Sequence, residues 1–267
     1  MYRLRFAERR AGKGTEMYCF TCKEDFESMM TCIYRVWEAK KGSQKVRLEI
    51  EPVEQMELLT EYIHVEMNPE LAQKVIRSIR TKISAKAYYQ IYLAAMSNDP
   101  GRLDVIYRFL RRGFAVGAKV TEYLREEPVM RLFELSRQVS NERHFFHEFL
   151  RFMRIAPGVY VAHMEPKGNV AALVAEHFAD RMPSEDWMII DDGRCIGVIH
   201  PKDEPFYVTE FREEEMERLR QTEKQEDLYT QMWKEFFHTI AVEKRENPVC
   251  QRNLFPLRYR KHVTEFL

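Results

Sequence analysis

Residues 187–200 read Trp-Met-Ile-Ile-Asp-Asp-Gly-Arg-Cys-Ile-Gly-Val-Ile-His, and the fold class follows from this stretch. Two apolar runs, residues 187–191 and 194–200, flank the dipeptide Asp192-Gly193. Both positions of this dipeptide tolerate a positive φ, which a two-residue type I′ turn requires. The stretch therefore predicts a β-hairpin near residues 187–200.

Segments with strand and helix periodicity surround the hairpin without strict alternation. Apolar residues recur at helical spacing in several segments, and others alternate like strands. Asn68-Pro69 opens one helix, because proline fits the first helical turn. The irregular order favours an α+β fold over a doubly wound parallel sheet, and we predict one predominantly helical α+β domain over residues 17–267. The predicted helices are 26–37, 69–83, 102–112, 141–154, 169–182 and one marked by residues 229–240 and ended by Asn247-Pro248; the predicted strands are 18–21, 45–50, 62–65 and 159–164.

The composition is that of a globular protein without a dominant charge. The chain has 267 residues, 45% of them apolar, and 42 basic residues balance 42 acidic ones. A net charge of zero creates no global field toward nucleic acid or lipid. Five cysteines at irregular spacing argue against a disulfide scaffold, and no apolar run approaches the roughly 20 residues that span a bilayer. We expect a soluble cytoplasmic protein that does not bind membranes.

Charge is nevertheless segregated along the chain. Residues 71–121 contain ten cations and two acids, whereas residues 203–227 contain ten acids and four cations. Residues 1–16 are also basic and show little periodicity, which predicts a loose N-terminal extension. Any electrostatic function must therefore come from local patches.

One such patch is predicted on the helix 141–154. Arg143, His147, Arg151 and Arg154 are spaced by four, four and three residues, which places them on one helical stripe. Arginine forks match pairs of phosphate oxygens, so the stripe could position a phosphate backbone. The alternative is a solvated helix face, partly neutralised by neighbouring glutamates.

Two further regions combine cations with aromatic residues. Cations can follow a phosphate backbone while aromatic rings stack on bases, as single-stranded nucleic acid requires. The alternative is that Tyr88, Tyr92 and Tyr259 are core residues and that the cations pair with residues 213–217. In the first region the candidate nucleic-acid-binding cations are Lys74, Arg77 and Arg80. In the second region they are Arg252, Arg258, Arg260 and Lys261, which lie close to a short helix that Pro256 could begin.

Motifs that would name a reaction are weak. His177, Asp180 and Arg181 share a helical face, so Asp180 could orient His177 as a general base and Arg181 could contact nucleic acid; a helix-end ion-pair cluster is the alternative. The order His144-x-x-His147-Glu148 is not that of a zinc protease. The pair Cys19-x-x-Cys22 lacks a second half-site. We predict no metal site and no cofactor.

Five sequence blocks occur in order along the chain: Asn141-Glu-Arg-His-Phe-Phe-His-Glu-Phe-Leu-Arg-Phe152, Pro166-Lys-Gly-Asn-Val170, His177-Phe-Ala-Asp-Arg181, Trp187-Met-Ile-Ile-Asp191 and residues 247–266. Together they resemble a bacterial family whose members are assigned to DNA metabolism and DNA repair, mainly from the genes that neighbour them. The resemblance runs from about residue 17 onward. Members are typically encoded beside a radical-SAM protein of DNA modification or repair, and a similar domain is fused to proteins like uracil-DNA glycosylase.

The resemblance implies an accessory protein of DNA repair or metabolism that binds DNA, single-stranded or damaged, and works with a radical-SAM partner. It supplies no catalytic residues. Two alternatives stay open. The protein could be a hydrolase or base-processing enzyme that uses His177 and Asp180, or a protein-binding scaffold without affinity for nucleic acid.

Overall fold

A computed structural model describes residues 17–53, 55–222 and 255–263 of the chain. The basic extension predicted for residues 1–16, the helix predicted for residues 229–240, and Arg252 lie outside the described residues. The described residues divide into two compact units, the first within residues 1–95 and 99–136 and the second within residues 96–98 and 137–267. The single domain expected for residues 17–267 stays a prediction.

The first unit contains a three-stranded parallel sheet with helices. The sheet order is β2-β1-β3, so the buried strand β1 lies in the middle. In chain order the elements are β1 (Met17–Cys22), α1 (Phe26–Ala39), β2 (Val46–Ile50), β3 (Thr60–His64), α2 (Pro69–Lys82), α3 (Ala85–Ala95), α4 (Arg102–Val116) and a 3₁₀ helix (Gly117–Glu122).

Local sequence explains where the first helices begin. The Asp25 carboxylate accepts a hydrogen bond from the Ser28 amide at 2.8 Å and caps α1. The Asn68 side chain caps α2 in the same way through the Leu71 amide at 3.1 Å, with Pro69 in the first turn. Both caps satisfy amides that have no partner within the helix. The predicted start of α2 at Asn68-Pro69 is confirmed.

The second unit contains a five-stranded mixed sheet. Helix α5 (Glu127–Phe149) begins in the first unit and ends in the second. The other elements are β4 (Met153–Ala156), β5 (Val159–Met164), α6 (Ala171–Arg181), β6 (Asp186–Asp191), β7 (Ile196–His200), β8 (Tyr207–Glu210), α7 (Glu213–Thr222) and a 3₁₀ helix (Leu257–His262). The sheet order is β4-β5-β6-β7-β8; β5 and β6 are parallel and joined by α6, and the other pairs are antiparallel.

The fold class is confirmed as mixed α+β, and so is the hairpin formed by β6 and β7. The turn of this hairpin differs from the prediction. Asp191 pairs with Ile196, so the loop has four residues, and the positive φ of 54° belongs to Cys195. The buried Asp191 carboxylate accepts the amides of Gly193 and Arg194 at 3.0 and 3.2 Å. A side chain therefore shapes the turn, and the type I′ prediction at Asp192-Gly193 is wrong.

The helix predicted for residues 141–154 ends at Phe149, and β4 follows at residue 153. Pro157-Gly158 forms the turn to β5, with φ of 77° at the glycine. Phe152 packs edge-to-face on Phe178 and Trp187 of the second unit at 4.9 and 6.0 Å between ring centroids. The prediction of one cationic stripe on this helix is therefore wrong beyond His147. Arg151 lies after the end of α5, and Arg154 lies in strand β4.

A buried carboxylate on α5 joins separate parts of the second unit. The Glu142 side chain is 7% exposed; it accepts the Lys167 amide at 2.9 Å and the Gly168 amide at 2.8 Å, and lies 3.8 Å from the Arg258 guanidinium. A Cβ at Gly168 would lie 2.7 Å from the Met96 carbonyl oxygen, so the loop passes too closely for a side chain. A buried carboxylate needs such donors.

Replacing Glu142 by alanine should lower the free energy of unfolding by about 2–4 kcal/mol, because two loop amides lose their acceptor. Urea denaturation measures this. Glu148→Ala, on the same helix but exposed, is the matched control and should change stability by less than about 0.5 kcal/mol. Equal effects of the two substitutions would contradict the role given to Glu142.

Candidate functional site

A cleft in the first unit combines cations with aromatic side chains. Its volume is about 550 Å³, within the usual range of ligand sites. Helices α1, α2 and α4 supply its walls, and no carboxylate belongs to the part of the lining that the structure describes. The lining residues are Tyr34, Trp37, Lys74, Val75, Ser78, Lys82, Arg111 and Phe114.

The chemistry of this cleft suits an anion that carries a ring. Trp37 and Phe114 meet edge-to-face at 5.2 Å between ring centroids and are half-buried. Lys74, Lys82 and Arg111 are exposed, and none of the three makes an ion pair with a described carboxylate. Ammonium and guanidinium groups in this state can bind phosphate oxygens without first breaking an internal pair.

The other cations predicted on α2 lie outside the cleft lining. Arg77 is exposed. Arg80 places its guanidinium 4.0 Å from the centroid of the Tyr88 ring, a cation–π contact. Tyr88 and Tyr92 are half-buried and both meet Phe26 edge-to-face. The two tyrosines therefore pack against Phe26 within the first unit.

In the second unit, the predicted residues Arg143 and His147 lie half-buried on α5. The His147 ring stacks on the His177 ring of α6 at 4.4 Å between centroids. Burial lowers the pKa of His147 to about 4, and the neighbouring His177 and Arg143 contribute to the same shift. The loss of contact with water and the neighbouring imidazole disfavour a positive charge on the His147 ring. His147 is therefore a neutral packing residue at neutral pH.

The proposed pairing of His177 with Asp180 does not form. His177 is half-buried against His147 and Phe178, whereas Asp180 is exposed on the same helix. Within the described part of the chain, no hydrogen bond joins the two side chains. A general base needs a partner that fixes its tautomer and orientation. The structure thus gives no support to the hypothesis of a hydrolase that uses His177 with Asp180. Arg181 is exposed at the end of α6 and adds no support to it.

The remaining predicted cations have partners within the protein. Arg151 donates to the carbonyl oxygens of Glu148 and Leu150 at 3.1 and 3.4 Å and so binds the end of α5. Arg260 donates twice to the Phe255 carbonyl, at 3.2 and 3.1 Å. Arg258 contacts Glu142 and the Tyr259 hydroxyl, and Lys261 pairs with Glu165.

The contacts of Arg258, Arg260 and Lys261 hold the 3₁₀ helix Leu257–His262 in place. The presence of this helix after Pro256 confirms the predicted short helix. Tyr259 is buried and stacks on Phe145 at 4.9 Å between ring centroids. The aromatic residues of this segment therefore belong to the core, as the alternative predicted.

A histidine–carboxylate cluster lies beside this 3₁₀ helix. His163 Nδ1 is 2.9 Å from Asp192 Oδ2, and both side chains are 8% exposed. His262 Nε2 lies 3.6 Å from Glu165 Oε1 and 3.7 Å from Asp192 Oδ2. Burial lowers the pKa of His262, and the two carboxylates oppose that shift. Lys261 also contacts Glu165. One end of β5, the hairpin loop and the 3₁₀ helix thus converge.

The cysteines of β1 are shielded thiols. Cys19 and Cys22 are buried, and Cys22 is the last residue of the strand. Burial raises the pKa of Cys19 to about 11. A hydrogen bond with Cys22 and burial raise the pKa of Cys32 well above its usual value. Since the thiolate is the nucleophilic form, these residues fit a packing role.

Residues 100–265 match the family described as a domain of unknown function, DUF4130. This region covers more than half of the chain. The chain belongs to the DUF4130 family. No curated protein and no solved structure matches it. The DUF4130 region contains the whole histidine–carboxylate cluster, but only Arg111 and Phe114 of the cleft lining.

None of the described helices is both long and apolar enough to cross a membrane.

The cluster of His163, Glu165, Asp192 and His262 was missed by the sequence reasoning. Asp192 was assigned to turn chemistry, and the other three belong to no motif. Glu165, Asp192 and His262 are far apart in the sequence, and no helical or strand periodicity relates their positions. The available signal was that Glu165 and Asp192 directly adjoin two of the five sequence blocks and that His262 lies within a third.

Protonation of His147 should destabilise the protein as the pH falls. Its folded-state pKa of about 4 lies below the usual histidine value of about 6.5. The unfolded chain therefore binds the proton first. The stabilising contribution is complete above about pH 6.5 and is lost progressively as the pH falls toward 4.

Urea denaturation across this pH window tests the assignment. His147→Asn, which cannot titrate, should lose less stability on acidification than the unchanged protein. Gln138→Asn, a non-titrating substitution at an exposed position of the same helix, should keep the original pH dependence. A ring titration by NMR that gives His147 a pKa near 6.5 would contradict the prediction.

Proposed function

We propose that the protein binds single-stranded nucleic acid through the cleft of the first unit and serves DNA repair or metabolism. The observation that carries the proposal is the composition of the cleft: three exposed cations and three aromatic rings, with no carboxylate among the described lining residues. The DNA context comes from the resemblance of the sequence blocks to a family assigned to DNA repair.

The arrangement of cations and rings in the cleft matches the phosphates and accessible bases of a single nucleic-acid strand. Lys74 and Lys82 lie on α2 and Arg111 on α4, so cations border the cleft on two helices. The rings of Tyr34 and Trp37 come from a third helix, α1. Phosphates can meet the cations while a base stacks on a ring, worth about 1–3 kcal/mol per base. A duplex keeps its bases stacked inside and offers no free ring.

The cations outside the cleft have a subordinate part in this proposal. Arg77, Arg80, Arg143, Arg181, Arg258 and Lys261 would add long-range attraction to phosphate rather than direct readout. Because Arg258 and Lys261 already pair with carboxylates, contact with DNA would cost them those pairs. We expect a smaller loss of affinity from their removal than from removal of the cleft cations.

Fluorescence anisotropy with a labelled oligothymidine strand measures the affinity of the full chain. The double substitution Lys74→Ala/Lys82→Ala should weaken binding at least about 10-fold and flatten the salt dependence, because two phosphate contacts are lost. The charge-matched control Lys23→Ala/Lys45→Ala removes two exposed cations of the same unit outside the cleft and should bind normally.

Stacking is tested separately. Trp37→Leu keeps an apolar side chain but removes the ring, so binding should weaken about 5-fold or more with an unchanged salt slope. The duplex of the same sequence should bind more weakly than the strand. No binding at low salt, or equal losses for the cleft and control variants, would refute the proposal.

The partner proposed from the resemblance is a radical-SAM protein of DNA modification or repair. Co-expression and co-purification test this partnership directly. Copurification together with strand binding supports an accessory protein that delivers DNA to its partner. Copurification without any strand binding, in either protein alone or in the complex, would favour the scaffold alternative.

A further inference from the structure

We propose that Glu165, Asp192 and His262 bind a first-row divalent transition-metal ion such as Zn²⁺. The site lies in the second unit, inside the DUF4130 region, and goes beyond strand binding at the cleft of the first unit. One imidazole nitrogen and two carboxylate oxygens form a donor set that suits Zn²⁺, Mn²⁺ or Fe²⁺, and the nitrogen ligand disfavours Mg²⁺ and Ca²⁺.

The distances fit a shared ion. One donor atom from each of the three residues lies within 4.8 Å of the others. His262 Nε2 is 3.6 Å from Glu165 Oε1 and 3.7 Å from Asp192 Oδ2. A tetrahedral ion with bonds of about 2.1 Å holds its ligand atoms about 3.4 Å apart. Modest shifts of the side chains would therefore bring all three donors to bonding distance.

The imidazole nitrogen that faces the carboxylates is otherwise unused. His262 Nε2 is buried and has no hydrogen-bond partner in the described part of the chain. Its separations from both carboxylates exceed a hydrogen bond. A buried polar atom without a partner is costly, and a metal ion at this point would satisfy it together with two negative charges.

The surroundings hold the donors in place. Asp192 Oδ2 is also 2.9 Å from His163 Nδ1, so a second, buried imidazole orients this carboxylate from behind. The preceding residue, Asp191, is buried and fixes the hairpin loop through its bonds to the Gly193 and Arg194 amides. The hairpin loop that supplies Asp192 is thus anchored without the ion.

Lys261 is the competing charge. Its ammonium pairs with Glu165, so an ion must displace or neutralise that contact to bind. Among the residues that the structure describes here, two carboxylates face one ammonium, which still favours a cation. Removing Lys261 should therefore strengthen metal binding, whereas a purely structural ion-pair cluster would only lose a partner.

Isothermal titration with ZnCl₂, and visible absorption with CoCl₂, test the chelator-treated full chain. We expect one ion bound, with d–d absorption typical of Co²⁺ in a nitrogen and oxygen site. His262→Gln and Glu165→Gln should each weaken binding at least about 10-fold. Lys261→Gln should tighten it about 3-fold or more, because a nearby positive charge is removed.

The matched control is the exposed pair His144 and Glu148 on α5, which also joins an imidazole to a carboxylate, at 3.2 Å, and belongs to no three-donor group in the described chain. His144→Gln should leave Zn²⁺ affinity unchanged. Because Glu165 is exposed, Glu165→Gln should fold even if His262→Gln does not. Absence of binding at millimolar Zn²⁺, or affinity unchanged by Glu165→Gln, would overturn the proposal.

Discussion

The arrangement of the second unit depends on the buried carboxylate of Glu142. A carboxylate removed from water must be met by donors, and Glu142 finds the amides of the loop at residues 166–168. The carbonyl oxygens of the same loop accept hydrogen bonds from Arg194, which also binds Asp191. The loop is therefore fixed through its amides on one side and its carbonyls on the other. The glycine at 168 is needed because the backbone passes close to the Met96 carbonyl.

This constraint also sets the histidine–carboxylate cluster. Glu165 directly precedes the clamped loop, and Asp192 follows the Asp191 that Arg194 holds. His262 belongs to the 3₁₀ helix, which Arg258 ties to Glu142 itself. One buried acid thus joins three separate parts of the chain that each supply a donor. The cleft of the first unit has a different basis, since three helices packed by apolar contacts leave cations and rings at its rim.

Particular residues show how far sequence reasoning reached. The start of α2 was predictable because Asn68 and Pro69 act on neighbouring amides, a local effect. The end of α5 was not. Phe152 fits the helical spacing of the preceding phenylalanines, yet it packs on Trp187, and contacts with distant residues favoured a strand instead. The hairpin was predicted from its two apolar runs, but its loop was not, because the Asp191 carboxylate competes with the turn preference of Asp192-Gly193.

The candidate sites also contain some residues that the sequence identified and others that only the structure could place. Lys74 was identified from sequence because it lies in a long basic stretch, whereas Arg258 and Lys261 look alike in sequence and prove to be paired with Glu142 and Glu165. The sequence by itself determined the α+β class, the starts of α1 and α2 and the segregation of charge, since these arise from interactions between near neighbours. Only the tertiary structure decided which of the described cations pair with carboxylates and which donors meet. Glu165, Asp192 and His262 are brought together by strand pairing and by buried polar contacts over long chain separations, and no local pattern encodes such distances.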